Sequence, residues 1–254
     1  MKREDYIYAI QDDAYHNLQA MDWFKVIVPE LSKMYMDVDY KKRQPDLLGK
    51  TVKVTENQFS EIYCIVDDLA SEAGINPPNV YVYEDFYYGM ESYGVEEYWI
   101  EMSAKTVRDL KKNEIKFLLA REIYKIADGV TKMNTLMNIQ FELLYERKAY
   151  KTAFYKWYRL VNYTADNFGY LACGNIKDAV YAILKLVLNS VSLAEEVDIQ
   201  EFIQQAEEIS KLNGKVYNHT KLDESVPYAP YRIKNLLAYA ISDRAMKYYE
   251  RMRY

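Results

Sequence analysis

The chain has 254 residues, of which 50% are apolar and 28% are charged, as expected of a folded soluble protein with a sizeable core. Its formal net charge of -5 offers no basic surface to a phosphate backbone, so we expect no nucleic-acid partner. No run reaches the roughly 18 consecutive apolar residues of a membrane-spanning helix, so we expect no membrane span.

The N-terminal part of the chain is predicted to be helical. Its first residues are charged and lead into no apolar core of the kind a signal peptide has, so we expect a cytoplasmic protein. Residues 4–36 carry apolar side chains at helical spacing, which predicts two helices. Residues 37–50 are polar and contain Pro45, which predicts a connection. We therefore expect an N-terminal helical segment over residues 1–50, followed by one compact unit over residues 51–254.

A small sheet is predicted next. A helix over residues 60–73 is stopped by Gly74, a typical left-handed C-cap. Residues 79–83 alternate aromatic and β-branched side chains, which indicates a strand. Two further extended pieces, over residues 87–95 and 98–102, complete an antiparallel or mixed sheet.

Helical periodicity then continues from Ser103, a predicted N-cap, to the end of the chain. One helix is predicted to be capped by Asn113 and to end before Gly129. Further helices are predicted through residue 144, over 154–172, over 177–188, from an Asp198 cap and over 231–250, with a polar loop over 213–225. The predicted fold class is α+β and mostly helical, with a small sheet packed on one long helix and a helical C-terminal half.

The helix after Asn113 contains the pentapeptide Arg121-Glu122-Ile123-Tyr124-Lys125. Taken alone, this pattern is typical of an exposed helix face, because Glu122 and Lys125 are three residues apart, a spacing at which surface ion pairs form. Asn162 and Asp166, four residues apart on a later helix, would likewise form an ordinary polar stripe.

Three other segments of the chain, together with this pentapeptide, carry a resemblance to a known family in their order and spacing. They are residues 76–85 (Asn-Pro-Pro-Asn-Val-Tyr-Val-Tyr-Glu-Asp), residues 157–174 around Asn162 and Asp166, and residues 225–233 (Ser-Val-Pro-Tyr-Ala-Pro-Tyr-Arg-Ile). Together the four segments resemble the HtpX-type gluzincin zinc metallopeptidases, the family that also contains the prenyl-protein endoproteases. The resemblance extends over roughly residues 50–245 and implies that the small sheet packs on a zincin-type helix.

The zinc ligands of that family are replaced in this chain. The family's helix reads His-Glu-x-x-His, in which both histidines bind zinc and the glutamate acts as general base. The resemblance places Arg121 and Lys125 at the two histidine positions and retains the catalytic glutamate as Glu122. The third ligand, a glutamate on a second helix, falls at Asn162, and the family's supporting aspartate is retained as Asp166.

These replacements do not suit a metal ion. Arginine stays protonated at any working pH, and deprotonating a lysine at neutral pH costs about 4–5 kcal/mol. Asparagine offers a neutral oxygen in place of a carboxylate. We therefore expect no zinc and no other cofactor, and we expect Glu122 to be a catalytic relic. We expect instead that Arg121 pairs with Asp166 and that Lys125 pairs with Glu122.

The resemblance also suggests where a partner would bind. The family holds an extended substrate beside an edge strand, and at that strand its Asn-Ala pair is replaced by Gly89-Met90. We expect a peptide groove at Gly89, Met90 and Glu91. The predicted function is that of an inactive, metallopeptidase-like protein that binds a peptide or protein. An active metal-dependent peptidase or hydrolase with a non-standard site, and a purely structural or regulatory subunit, are the alternatives.

Overall fold

Helices dominate the fold and surround a four-stranded mixed sheet, which confirms the predicted α+β, mostly helical class. The structure is a computed structural model that describes residues 1–143 and 148–252, so Leu144, which the sequence places in a helix, lies outside the described residues. The main core lies between the sheet and the long central helices, and a smaller apolar cluster lies on the other side of the sheet.

The N-terminal segment is more helical than predicted. It contains α1 (Arg3–Tyr6), α2 (Gln11–Gln19), α3 (Asp22–Met34), a π-helical turn (Tyr35–Asp39) and α4 (Tyr40–Lys50). The connection predicted over residues 37–50 is therefore wrong. Leu47 is buried in the smaller apolar cluster, and Arg43 Nη2 donates to Glu101 Oε2 at 2.6 Å. These tertiary contacts outweigh the helix-breaking tendency of Pro45.

The sheet contains the three predicted strands and one short additional strand. Its strands are β1 (Val52–Lys53), β2 (Asn79–Tyr83), β3 (Met90–Gly94) and β4 (Tyr98–Ser103), in the spatial order β1-β2-β4-β3. β2 and β4 run parallel, and the other two pairings are antiparallel. Helix α5 (Ser60–Ala73) connects β1 to β2 and ends at Gly74 with φ +72°, as predicted. β3 therefore lies at the edge of the sheet.

A buried helix lies at the centre of the fold. The chain continues through α6 (Ala104–Asp109), α7 (Lys112–Ala127), α8 (Val130–Leu143), α9 (Lys148–Cys173) and α10 (Ile176–Leu188). Helix α7 packs against α9, α5, α10 and the edge strand β3, so most of its side chains are buried. The prediction that Asn113 caps this helix is wrong, because the N-cap lies two residues earlier in the chain. Lys111 is the N-cap because its N–H donates to the Glu114 carboxylate at 2.7 Å.

The C-terminal part adds five shorter helices: α11 (Val191–Glu195), α12 (Ile199–Lys211), α13 (Lys215–Asp223), α14 (Ala229–Ala240) and α15 (Asp243–Met252). Asp198 caps α12 as predicted. The polar loop predicted over 213–225 is wrong, because α13 forms there and packs against α9. The helix predicted over 231–250 is interrupted between α14 and α15, where Ser242 Oγ accepts the N–H of Ala245.

The N-terminal segment also contacts α9. The amide of Asn167 donates to the carbonyl of Tyr6 at 3.0 Å, and Thr164 Oγ1 accepts the N–H of Tyr8 at 2.9 Å. Among the residues that the structure describes, no helix is both long and apolar enough to cross a bilayer.

Candidate functional site

Six polar side chains from α7, α9 and α14 meet in the interior. We call them the ionic cluster: Arg121, Glu122, Lys125, Asn162, Asp166 and Arg232. None is more than 7% exposed, and Asp166 is 0% exposed. The exposed-face interpretation of the Arg-Glu-x-x-Lys pattern is therefore wrong, because α9 and β3 cover this face of α7. The same burial rules out a solvated polar stripe at Asn162 and Asp166.

Asp166 lies between two arginines. Arg232 donates from Nη2 to Oδ1 at 2.8 Å and from Nε to Oδ2 at 2.9 Å, a bidentate pair. Arg121 Nε lies 2.7 Å from Asp166 Oδ1, but its N–H is not directed at that oxygen, so this contact is an ion pair without a hydrogen bond. Burial alone would raise the pKa of Asp166, but the two arginines outweigh it and lower that pKa.

Arg121 also connects α7 to α9 through Asn162. Its Nη2 donates to Asn162 Oδ1 at 2.9 Å, and Asn162 Nδ2 donates to the carbonyl of Tyr158 at 2.8 Å. The only acceptor oxygen of the Asn162 side chain is therefore already hydrogen-bonded to a guanidinium.

Glu122 is held by three donors. Lys125 Nζ lies 2.7 Å from Oε1, while Oε2 accepts the backbone N–H of Ser92 at 2.9 Å and its hydroxyl at 2.7 Å. Burial would raise the pKa of Glu122, but Lys125 and Arg121 outweigh it and lower that pKa. Burial would lower the pKa of Lys125, but the Glu122 carboxylate outweighs it and raises that pKa. Glu122 is therefore ionised and Lys125 protonated at neutral pH.

The two ion pairs expected from the sequence, Arg121–Asp166 and Lys125–Glu122, are confirmed. The residues at the three positions where the resemblance implies zinc ligands do not fit a zinc ion, because Arg121 and Lys125 are cationic donors and the oxygen of Asn162 is already hydrogen-bonded. Among the described residues, no group of three or more His, Cys, Asp or Glu side chains is arranged to hold a metal ion.

Two members of this site were not expected from the sequence. Arg232 belongs to the fourth segment of the resemblance, but nothing in that segment indicates that its guanidinium reaches α9. Ser92 contributes both its backbone N–H and its hydroxyl, and nothing in the sequence around it indicates that β3 brings it to Glu122. The hydroxyl of Ser92 also lies 2.7 Å from that of Thr131, which extends the network to α8.

The residues of the predicted peptide groove begin the edge strand β3, and much of that edge already has partners. The N–H of Gly89 donates to the hydroxyl oxygens of Ser103 and Thr106. Further along, the outward N–H of Gly94 donates to Thr135 Oγ1 at 3.1 Å, and that of Ser92 donates to Glu122. A peptide that paired with β3 would therefore be confined to its Met90 end.

Glu91 is half-buried beside this end of the strand. Its carboxylate accepts hydrogen bonds from the Tyr93 hydroxyl at 3.0 Å and from Asn134 Nδ2 at 3.2 Å. Burial raises the pKa of Glu91, and the nearby Glu122 carboxylate acts in the same direction. The groove at Gly89, Met90 and Glu91 stays a prediction.

The loop before β3 presents two aromatic side chains to solvent. Phe86 is 82% exposed and Tyr87 is 67% exposed. The loop is held in place from behind, because the carbonyl of Phe86 accepts hydrogen bonds from Lys105 Nζ at 3.1 Å and from Asn189 Nδ2 at 3.0 Å. The N–H of Tyr88 donates to Asn189 Oδ1 at 3.0 Å. We call residues 84–89 the aromatic loop.

The ionic cluster predicts how stability depends on pH. The pKa values of Glu122 and Asp166 are lower in the folded chain than in the unfolded chain. Their contribution to stability is therefore present when the pH is above the unfolded-state pKa, and it is lost as the pH falls through the folded-state pKa. The pKa of Lys125 is higher in the folded chain than in the unfolded chain. Its contribution to stability is therefore present when the pH is below the unfolded-state pKa, and it is lost as the pH rises through the folded-state pKa. We expect a flat unfolding free energy near neutrality, with losses below about pH 4 and above about pH 10.5.

Urea unfolding at a series of pH values measures this profile. The double variant Glu122→Leu/Lys125→Met replaces one buried ion pair with apolar side chains of similar volume. In this variant the losses of stability at low and at high pH should both become smaller. An identical profile in the variant and the unmodified chain would contradict the assignment of these pKa shifts.

Comparisons with family models, with curated proteins and with solved structures give no match. The likeness to the HtpX-type metallopeptidases therefore stays a prediction from four sequence segments.

Proposed function

We propose that the chain is a non-catalytic, metallopeptidase-like protein that binds a peptide or a partner protein. The observation that supports this most is the state of the proposed relic positions: Arg121 and Lys125 are buried and paired with Asp166 and Glu122. Arg121 joins α7 to α9 through Asp166 and Asn162, and Lys125 pairs with Glu122 within α7. A catalytic zinc site instead needs three lone-pair donors and an open position for water.

Glu122 is also poorly placed to act as a base without a metal. It is 1% exposed, both of its oxygens have partners, and its pKa is lowered. A general base must reach the proton it removes and works best with a pKa near the working pH. Even a well-placed base contributes only about 10²–10⁴-fold, which is far below what peptide hydrolysis requires.

The proposed binding surface is the aromatic loop together with the Met90 end of β3. Exposed aromatic side chains on a loop that is already ordered are typical of recognition sites, because little conformational entropy is lost on binding. An extended peptide could pair with the strand at Met90 and pack apolar side chains against Phe86 and Tyr87. We propose an extended peptide segment with apolar side chains as the occupant.

The same proposal places the protein in the cytoplasm without a nucleic-acid partner. The net charge of -5 opposes binding to a phosphate backbone. Cys64 and Cys173 are both free thiols, as is usual in a reducing compartment.

Selection from a displayed library of random peptides tests the binding surface. Peptides selected on the unmodified chain should bind the Phe86→Ala/Tyr87→Ala variant roughly 10- to 100-fold more weakly, because two exposed aromatic contacts are removed. Isothermal titration calorimetry measures the affinity.

The matched control is Ile241→Ala, since Ile241 is 79% exposed between α14 and α15 and its truncation should leave the affinity unchanged. Selected peptides that bind the double variant and the unmodified chain equally well would rule out this surface.

A further inference from the structure

The face of the sheet that points away from the main core carries its own aromatic cluster. Tyr81 and Trp99 pack there with Tyr35 and Leu47, whereas Val80 and other alternating residues point into the main core. A cavity of about 100 Å³ opens beside this cluster. We call it the aromatic pocket, and its walls include Tyr40, Tyr81, Tyr98, Trp99 and Glu97.

The indole of Trp99 is held in position without a ligand. Its Nε1 donates to Glu101 Oε1 at 2.8 Å, and Arg43 holds the other oxygen of Glu101 at 2.6 Å. The Tyr93 ring stacks on the indole with centroids 6.0 Å apart and an interplanar angle of 26°. The Tyr40 ring lies 6.0 Å from the indole at 36°. This wall of the pocket is therefore preorganised.

The charge of the pocket favours a cation. Among the described residues that line it, Glu97 is the charged one, and there is no lysine or arginine. The nearby Arg43 is neutralised by its ion pair with Glu101. Aromatic rings attract cations to their faces because of the quadrupole of the π-system.

The size of the pocket limits the ligand to a small head group. Pockets for drug-sized molecules have volumes of about 300–1,000 Å³, whereas this one has about 100 Å³. A wider cleft of about 630 Å³ shares Asn79, Glu97 and Tyr98 with it. The cleft offers room for the chain that carries the head group.

We propose that the aromatic pocket binds an alkylammonium group. Such a group is carried by the side chain of a lysine or a methylated lysine in a peptide, and by small choline-like molecules. The site is distinct from the ionic cluster and from the aromatic loop. Its test is therefore independent of the test of the proposed peptide surface.

Titration with choline and with its neutral isostere 3,3-dimethyl-1-butanol tests the charge requirement directly. The two molecules have the same shape, so a cation site should bind choline roughly 3- to 30-fold more tightly. Isothermal titration calorimetry and the tryptophan fluorescence of the protein report binding. Equal affinity for the two molecules, or no binding of choline up to its solubility limit, would overturn the proposal.

Two variants locate the site. Tyr40→Leu keeps an apolar side chain but removes a ring, and Glu97→Gln removes the negative charge; each should weaken choline binding several-fold. Glu207→Gln makes the same charge change in an exposed ion pair on α12 and should have no effect. Unchanged choline affinity in Glu97→Gln would overturn the assignment even if Tyr40→Leu failed to fold.

The source of the ammonium group is distinguished by short peptides that contain lysine, trimethyllysine or norleucine at one position. Tighter binding of a lysine or trimethyllysine peptide than of choline indicates a peptide ligand, while tighter binding of choline indicates a small molecule. A norleucine peptide that bound as well as the charged peptides would contradict the cation site. The Phe86→Ala/Tyr87→Ala variant should keep its choline affinity.

Discussion

Replacement of Asp166 with asparagine is expected to lower the free energy of unfolding by about 3–5 kcal/mol, because it leaves two buried guanidinium groups without a counter-charge. Asp166 is 0% exposed, and both Arg121 and Arg232 lie within 2.9 Å of its oxygens. Equilibrium urea unfolding, followed by circular dichroism, measures the loss. A cost of this size is a large fraction of the total stability of a typical domain.

Two controls separate this effect from a general sensitivity to charge removal. Glu207→Gln removes a carboxylate from an exposed pair with Lys234 and should leave stability unchanged. The combined variant Arg121→Met/Asp166→Leu/Arg232→Met removes every charge of this group and should recover much of the stability lost in Asp166→Asn. If Asp166→Asn were as stable as the unmodified chain, the ionic cluster would have no structural role.

Introduction of the three ligands that the resemblance implies is expected to create a zinc site. In the variant Arg121→His/Lys125→His/Asn162→Glu, two imidazoles on one face of α7 would meet a carboxylate from α9. The present contact between Arg121 Nη2 and Asn162 Oδ1, at 2.9 Å, shows that these side chains already converge. Zinc at about 100 times its dissociation constant should then stabilise the variant by about 2.7 kcal/mol.

Thermal unfolding with and without zinc measures this gain, and it also detects a variant that folds only when zinc is added. The matched control is Lys112→His/Lys116→His, which places two histidines at the same spacing on α7 but outside the ionic cluster. A folded triple variant that takes up no zinc would show that α7 and α9 are not the two metal helices of the family.

The elements predicted correctly from the sequence are those with local signals. Gly74 ends α5 because glycine adopts a positive φ easily, and Asp198 caps α12 through its own side chain. The missed helices lack such signals. Residues 37–50 become helical because Leu47 and Arg43 find partners on the sheet, and these partners lie far away in the sequence.

The site could be predicted only in part, because contacts between residues far apart in the sequence have no local signal. The resemblance placed Arg121 and Asp166 on facing helices, so their ion pair followed from charge alone. Burial of the cluster did not follow, because a charged helix face ordinarily faces water. Arg232 and Ser92 join the site from α14 and β3, and the packing of those elements against α7 and α9 is decided by the tertiary fold.

Asp166 and Glu122 each pair with a cation of α7, Asp166 with Arg121 and Glu122 with Lys125. Each carboxylate also accepts hydrogen bonds from outside α7: Asp166 from Arg232 and Glu122 from Ser92. Such a network holds the helices together but has no open coordination position.

The metal content of the unmodified chain is the most direct test of this account. The protein is purified without chelator and its transition metals are measured by elemental analysis beside the protein concentration. Because Arg121 and Lys125 stand at the positions where the resemblance implies zinc ligands, and both are already paired with carboxylates, we expect only trace metal and no zinc-dependent peptide hydrolysis. One tightly held transition-metal ion per chain, bound between α7 and α9, would contradict it.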